Sequence, residues 1–222
     1  IGVEKSHFTG HEGVVLVFKN ALEVLQKAGA TLIEIDLLKE IDPLGKAEFE
    51  LMQFEFKDGL NRYLATANAS VKSLAEVIAF NQANESRVMP YFKQDILETS
   101  EQKGPLTDSR YLEIRKETRS SQTIIDGFLQ KNELDAIVGI STGLVQLIDL
   151  ENGDCYPTNG FYFGQAAAMA GYPSLTVPMG RVHQLPIGLS FLGGAWQDGP
   201  ILGLGFAYEQ ATKWRVAPSF LK

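Results

Sequence analysis

Residues Gly139-Ile140-Ser141-Thr142-Gly143 fit the pattern G-x-S-x-G. In that pattern a serine sits on a sharp turn between a buried strand and a helix, with its hydroxyl presented to substrate. The apolar run from Leu134 to Ile140 offers the strand. Asp149 or Asp154, and then His183, supply an acid and a base downstream. His183 would take the proton of Ser141 while the carboxylate orients the imidazole. The residues after Gly143 argue against this set, because Asn152-Gly153 leaves room only for a poor helix. No H-G-G-G-like segment precedes the serine to complete an oxyanion hole. A serine in a strand-end loop is the competing reading, and the local sequence favours it. Cys155 is a second candidate nucleophile, again with His183 as base. Its neighbour Asp154 disfavours the thiolate, so an unactivated loop thiol is the better reading. His7 and His11 are four residues apart but straddle Gly10, and no third ligand is evident. They read as solvated loop histidines, with no metal site.

The elements that must position these residues can be traced from spacing. Ile1–Val3 reads as a strand end. Val14, Val17, Phe18, Ala21, Leu22 and Leu25 recur at helical spacing, and Gly29 closes that helix. Thr31 to Leu37 reads as a strand, so the chain opens β-α-β. From about 43 to 132 the pattern is helical. Phe49, Met52, Phe56, Leu60, Tyr63 and Leu64 share one face of a helix over Pro43 to Ala67. Ser73 to Glu76 matches a capping box, and Thr107 or Asp108 caps a long helix to about Lys131. Ser120-Ser121 falls mid-helix and reads as a solvated face. Leu134 to Ile140 is a buried-strand run, and a loop from Ser141 to Phe163 follows it. Gly164 to Ala170 is a small-residue helix ended by Gly171-Tyr172-Pro173. Leu175-Thr176-Val177 and Ile187 to Leu192 are strands, and Asp198 to Thr212 is the last helix. The fold class is therefore α/β, a mixed sheet flanked by helices, with no linker that separates two domains.

Composition narrows the function. The 222 residues carry 20 Lys and Arg against 27 Asp and Glu, a net charge of −7. That balance disfavours nucleic acid and anionic membrane surfaces as partners. No apolar stretch approaches the ~20 residues of a membrane span. The single cysteine excludes an intrachain disulfide and any cysteine-based zinc or iron–sulfur centre. It suits a cytoplasmic protein better than a secreted one, and no signal-peptide pattern opens the chain.

The last third resembles the amidase signature family. Ala166-Ala167-Ala168-Met169-Ala170-Gly171-Tyr172-Pro173, continuing through Ser174-Leu175-Thr176-Val177-Pro178-Met179-Gly180, matches its N-L-A-G-x-P-x-x-x-V-P-x-G pattern. Leu185-Pro186-Ile187-Gly188 to Gly193 and Ala207-Tyr208-Glu209-Gln210-Ala211-Thr212 follow in the family's order and spacing. Ala168 stands where the family usually has Asn, and Ile140-Ser141 where it usually has Pro-Thr. The resemblance implies an amide hydrolase using a serine nucleophile, a bridging serine and a lysine base, without a cofactor. Those three residues lie in a Gly- and Ser-rich segment with no counterpart in residues 1–222. The resemblance thus implies that this chain is the C-terminal portion of such an enzyme, completed by an N-terminal half of the same protein upstream of Ile1. Two other readings stand beside it: a noncatalytic amidase relative that binds a ligand or partner, and a self-contained hydrolase using Ser141 and His183.

On the first reading, Ser141, Thr142, Gly143, Asp149, Asn152 and Asp154 are expected to contact an amide substrate. The acids would meet its polar or amino part, and Phe161, with Tyr156, Tyr162 and Phe163, would line an apolar side. Sheet edges and apolar faces left by a half-domain would favour a homo-oligomer.

Overall fold

A computed structural model of the chain describes residues 1–154 and 160–218. The chain divides into two compact units. One comprises Ile1–Pro43, Arg119–Gln146 and Tyr156–Lys222; the other comprises Leu44–Thr118 and Leu147–Cys155.

The first unit is built on a five-stranded mixed sheet. Its strands are β1 (Gly2–Glu4), β2 (Ile33–Ile35), β3 (Ile137–Ile140), β4 (Ser174–Val182) and β5 (Leu185–Leu192), in the order β2-β1-β3-β5-β4. β1 runs parallel to both β2 and β3, whereas β5 is antiparallel to β3 and β4. Helix α1 (Glu12–Lys27) buries Val14, Val15, Phe18, Ala21, Leu22 and Leu25, one stripe at helical spacing. That stripe joins Val3, Val138, Ile140, Val177, Met179, Leu189 and Phe191 in a single core, together with Ile201 and Tyr208. Ile201 and Tyr208 come from α9 (Asp198–Thr212). Each fully buried Phe or Leu contributes about 1.5–3 kcal/mol.

The sequence expectation of one strand over Thr31 to Leu37 needs correction at its end. Extended pairing stops at Ile35, and Leu37 begins a short helix, α2 (Leu37–Ile41). Leu37, Leu38 and Ile41 are buried at helical rather than alternating spacing. A buried acid fixes the switch. Glu4 is fully inaccessible, and its carboxylate accepts the Leu38 N–H at 3.1 Å. The same carboxylate accepts the Ser6 N–H at 3.0 Å and the Ser6 hydroxyl at 2.7 Å. One carboxylate thus holds both the 3-10 turn at Lys5–Phe8 and the first turn of α2.

The second unit holds α3 (Gly45–Thr66), α4 (Leu74–Ala83), α5 (Glu85–Val88), α6 (Asp95–Glu101) and the first part of α7 (Ser109–Lys131). Ser73 accepts the Glu76 N–H at 3.2 Å, the N-cap bond that the sequence predicts, while Glu76 reaches back one residue further and accepts the Lys72 N–H at 2.7 Å. Of the expected face of α3, Leu64 is buried and Leu60 half-buried, but the four larger side chains are not. Phe49, Met52, Phe56 and Tyr63 are 48, 49, 41 and 66 % exposed. Ala47 and Phe54 face Tyr111 and Ile114 instead. Charge reinforces that choice: Glu50 pairs with Arg110 at 2.7 Å and with Lys103 at 3.3 Å, and Lys103 also lies over the Phe54 ring. The Arg110 hydrogen bond is the main cause holding Glu50 below the usual carboxylate range. Ser121, expected on a solvated face, is fully buried.

Candidate functional site

Ser141 continues β3 by one residue, and its surroundings follow from strand pairing. Its N–H donates to the Gly188 carbonyl at 2.9 Å, and its own carbonyl accepts the Phe163 N–H at 3.1 Å. Gly143 donates to the Phe161 carbonyl at 3.2 Å, and Thr142 bridges to Tyr162. Beyond Val138, where β1 stops pairing with β3, the segment 161–163 thus takes β1's place beside the strand end. Strand alternation then decides which side chains are free. Phe161 and Phe163 turn inward and are 6 and 1 % exposed, while Tyr162 turns outward. Phe161 and Phe163, expected to line an apolar side of the substrate, are both buried in the core. Thr142 is exposed, and Ser141 and Gly143 are half-buried.

The gap between β1 and segment 161–163 is filled by a histidine. His7 is 3 % exposed, and its Nδ1 accepts the Ile140 N–H at 2.9 Å. Its ring meets those of Phe18, Phe161 and Phe163 edge-on. Burial lowers its pKa from the ordinary 6.5 to about 4. The imidazole is neutral near neutral pH, with its proton on Nε2, an atom that has no hydrogen-bond partner. The expected solvated loop histidine is a core residue that completes a strand end. Its neighbours Ser6 and Gly10 carry no signal of that burial, which follows from where β1 ends. Among the described residues no group of three or more His, Cys, Asp or Glu side chains could hold a metal ion.

Ser141 and His183 do not meet. His183 and Gln184 form the two-residue turn between β4 and β5, with φ of 50° and 66°. Ser141 lies beside Gly188, five residues along β5, so roughly 16 Å of strand separates them. The His183 ring packs edge-on against His11, 6.4 Å between centroids. The Ser141 hydroxyl instead approaches the Thr176 hydroxyl at 3.5 Å, and no helix follows Gly143. The nucleophile-elbow geometry and the self-contained Ser141–His183 pair are thus absent.

The acidic candidates belong to the second unit, where Asp149 closes a turn. Asp149 accepts the Glu151 and Asn152 N–H groups at 3.0 and 2.9 Å, and the Asn152 side-chain amide at 3.0 Å. The hydrogen bonds from Asn152 hold its pKa below the usual carboxylate value. Asp154 is exposed. Cys155 and Tyr156 lie outside the described residues.

The segment that carries the family resemblance is anchored from behind. Helix α8 (Gly164–Ala170) ends at Gly171, whose φ of 68° is left-handed, so the chain reverses there without the strain a Cβ would bring. Gln122 on α7 donates to the Ala170 carbonyl at 2.8 Å, and Tyr172 donates its hydroxyl to Asp126 at 2.9 Å. Burial, and then that hydrogen bond, push the Tyr172 phenol upward. Gly193 in turn donates to the Pro173 carbonyl at 3.0 Å. The turn is thereby clamped between α7 and the end of β5, which aims β4 along the sheet.

The amidase family model matches residues 1–202. The chain belongs to the amidase family. It is similar to a peptide amidase crystallised with the competitive inhibitor chymostatin, at 36% identity and a TM-score of 0.89 over 99% of this chain and 44% of that one. The native peptide amidase of Stenotrophomonas maltophilia matches at 34% identity and a TM-score of 0.88, with the same shares of each chain. A probable amidase of Arabidopsis thaliana is 27% identical over 221 residues, 94% of this chain and 39% of that protein. The amidase chain described here thus spans about two fifths of the length of these relatives. Among the described residues, no helix is long and apolar enough to cross a membrane.

Proposed function

We propose that residues 1–222 are the C-terminal portion of an amide-hydrolysing enzyme whose serine nucleophile and lysine base lie upstream of Ile1. The observation that carries this reading is one of coverage. Nearly the whole chain superimposes on a peptide amidase, yet it accounts for 44% of that protein. The separation of Ser141 from His183 supports it, since the one serine–histidine pair suggested by the sequence does not assemble. On this reading the missing serine attacks the substrate carbonyl, the amine leaves, and water releases the acid. Residues 1–222 supply substrate-binding surface, with Ser141, Thr142 and Gly143 at the end of β3. In the second unit Asp149, whose carboxylate is held by its own turn, Asn152 and Asp154 are proposed separately as contacts for a polar or amino group. The substrate class is a small carboxamide, and blocked peptide amides are the first to try.

The test is ammonia release from a blocked dipeptide amide. The longer protein should release it and residues 1–222 alone should not. Turnover by residues 1–222 alone would overturn the proposal.

A further inference from the structure

Three hydroxyls stand in a row on the sheet face opposite α1. Ser190 on β5 is 2 % exposed, and its Oγ lies 2.8 Å from the Thr176 Oγ1 on β4. Thr176 is exposed, and its Oγ1 in turn lies 3.5 Å from the Ser141 Oγ at the end of β3. β3 and β4 are not neighbours, because β5 runs between them. Two strand spacings come to about 9.6 Å, so two short side chains bridge that span only by leaning toward each other across β5. Gly188 makes this feasible. A Cβ there would fall 2.5 Å from the Thr176 methyl and 3.2 Å from the Ser141 Cβ. An exposed contact between neutral hydroxyls adds little stability. Stability alone therefore gives small reason for the arrangement.

The geometry points to the Ser141–Thr176 pair as a recognition point for a neutral amide group of the substrate, with Ser190 as a positioning residue behind it. This deepens the amide-hydrolase reading and rests on it. Each hydroxyl has one proton to give and lone pairs to receive. If Ser190 donates to Thr176 and Thr176 to Ser141, the Ser141 proton is free for a carbonyl oxygen. Thr176 is the donor to Ser141, so Ser141 also keeps a second lone pair for an N–H. A hydroxyl with a proton and a lone pair both free suits a ligand carrying both a carbonyl and an N–H, and an amide carries both. It suits a carboxylate less well, because the carboxylate offers no N–H.

The test is Thr176→Val in the full-length enzyme, assayed on a blocked dipeptide amide. Valine keeps the shape and branching of threonine, so the strand is retained. The expected result is a KM raised about five- to tenfold with kcat within twofold, restored by Thr176→Ser. Gly188→Ala, which drives the two hydroxyls apart, should raise KM in the same way. A KM within twofold of wild type in Thr176→Val, or a fall in kcat at unchanged KM, overturns the proposal. If the wild type turns over no amide, the functional reading has failed. The same dipeptide amide is then titrated calorimetrically. Binding at least fivefold weaker in Thr176→Val than in wild type sustains the recognition point. Equal binding, or none by the wild type, ends it.

Discussion

Nδ1 of His7 accepts the backbone N–H of Ile140 at 2.9 Å. The bond puts a side chain where a neighbouring strand would otherwise supply a carbonyl, one residue before Ser141. It holds only while the imidazole is neutral, because a protonated Nδ1 is a second donor facing the Ile140 N–H.

A pH dependence follows. The folded pKa is about 4 and the ordinary value is 6.5, so between those limits the unfolded chain binds a proton that the folded chain refuses. The contribution is complete above pH 6.5, is lost as pH falls toward 4, and is constant below that. Its size is about 3 kcal/mol. Urea denaturation at pH 7.5 and pH 4.5 should show this loss in the wild type. His7→Asn keeps an acceptor near the Nδ1 position and cannot titrate, so its loss should be smaller by about that amount. Equal losses in the two proteins would refute the assignment.

The Glu4 carboxylate is a second buried polar anchor, and three donors depend on it. Glu4→Ala leaves the Ser6 and Leu38 groups without their acceptor in a closed site and should cost about 2–4 kcal/mol. Glu4→Gln, which keeps one acceptor oxygen, should cost less. The urea midpoint measures both, and an unchanged midpoint in Glu4→Ala would contradict this role.

What the sequence disclosed, and what it hid, divides along physical lines. Local signals were legible. Gly171 ends α8 at the expected residue, and Ser73 and Glu76 cap α4, because these depend on backbone chemistry within a few residues. The mixed α/β class was legible too. Long-range placement was not. Periodicity groups Phe49, Met52, Phe56 and Tyr63 on one face of α3 but does not say which face meets a partner helix. The Phe54–Tyr111 packing and the Glu50–Arg110 pair decide that. The order Ser141, Asp149, His183 mimics a catalytic sequence, but order carries no distance, and the turn at His183 takes the imidazole to the far end of β5. The burial of His7 is hidden from the sequence for the same reason, since it depends on a strand more than a hundred residues away.

The exposed face of α3 predicts self-association. Four large apolar side chains open to water make a patch that residues 1–222, expressed alone, should bury against another copy. Sedimentation velocity should show dimers or larger species. Phe49→Glu with Phe56→Lys should shift the population toward monomer. A monomeric wild-type chain at the same concentration would contradict this.

The β4–β5 turn carries avoidable strain. His183 and Gln184 both have positive φ, which suits Asn and Gly better. His183→Asn with Gln184→Gly should therefore raise stability by about 1 kcal/mol. It should also leave amide hydrolysis by the full-length protein intact. Thermal unfolding and ammonia release read the two effects, and a loss of turnover would return His183 to the chemistry.

The nucleophile is proposed to lie outside residues 1–222, and a fluorophosphonate probe followed by peptide mapping of the full-length protein decides it. The expected adduct is on a serine upstream of Ile1, formed equally well in Ser141→Ala. An adduct on Ser141, or no serine adduct anywhere in the protein, would rule the proposal out.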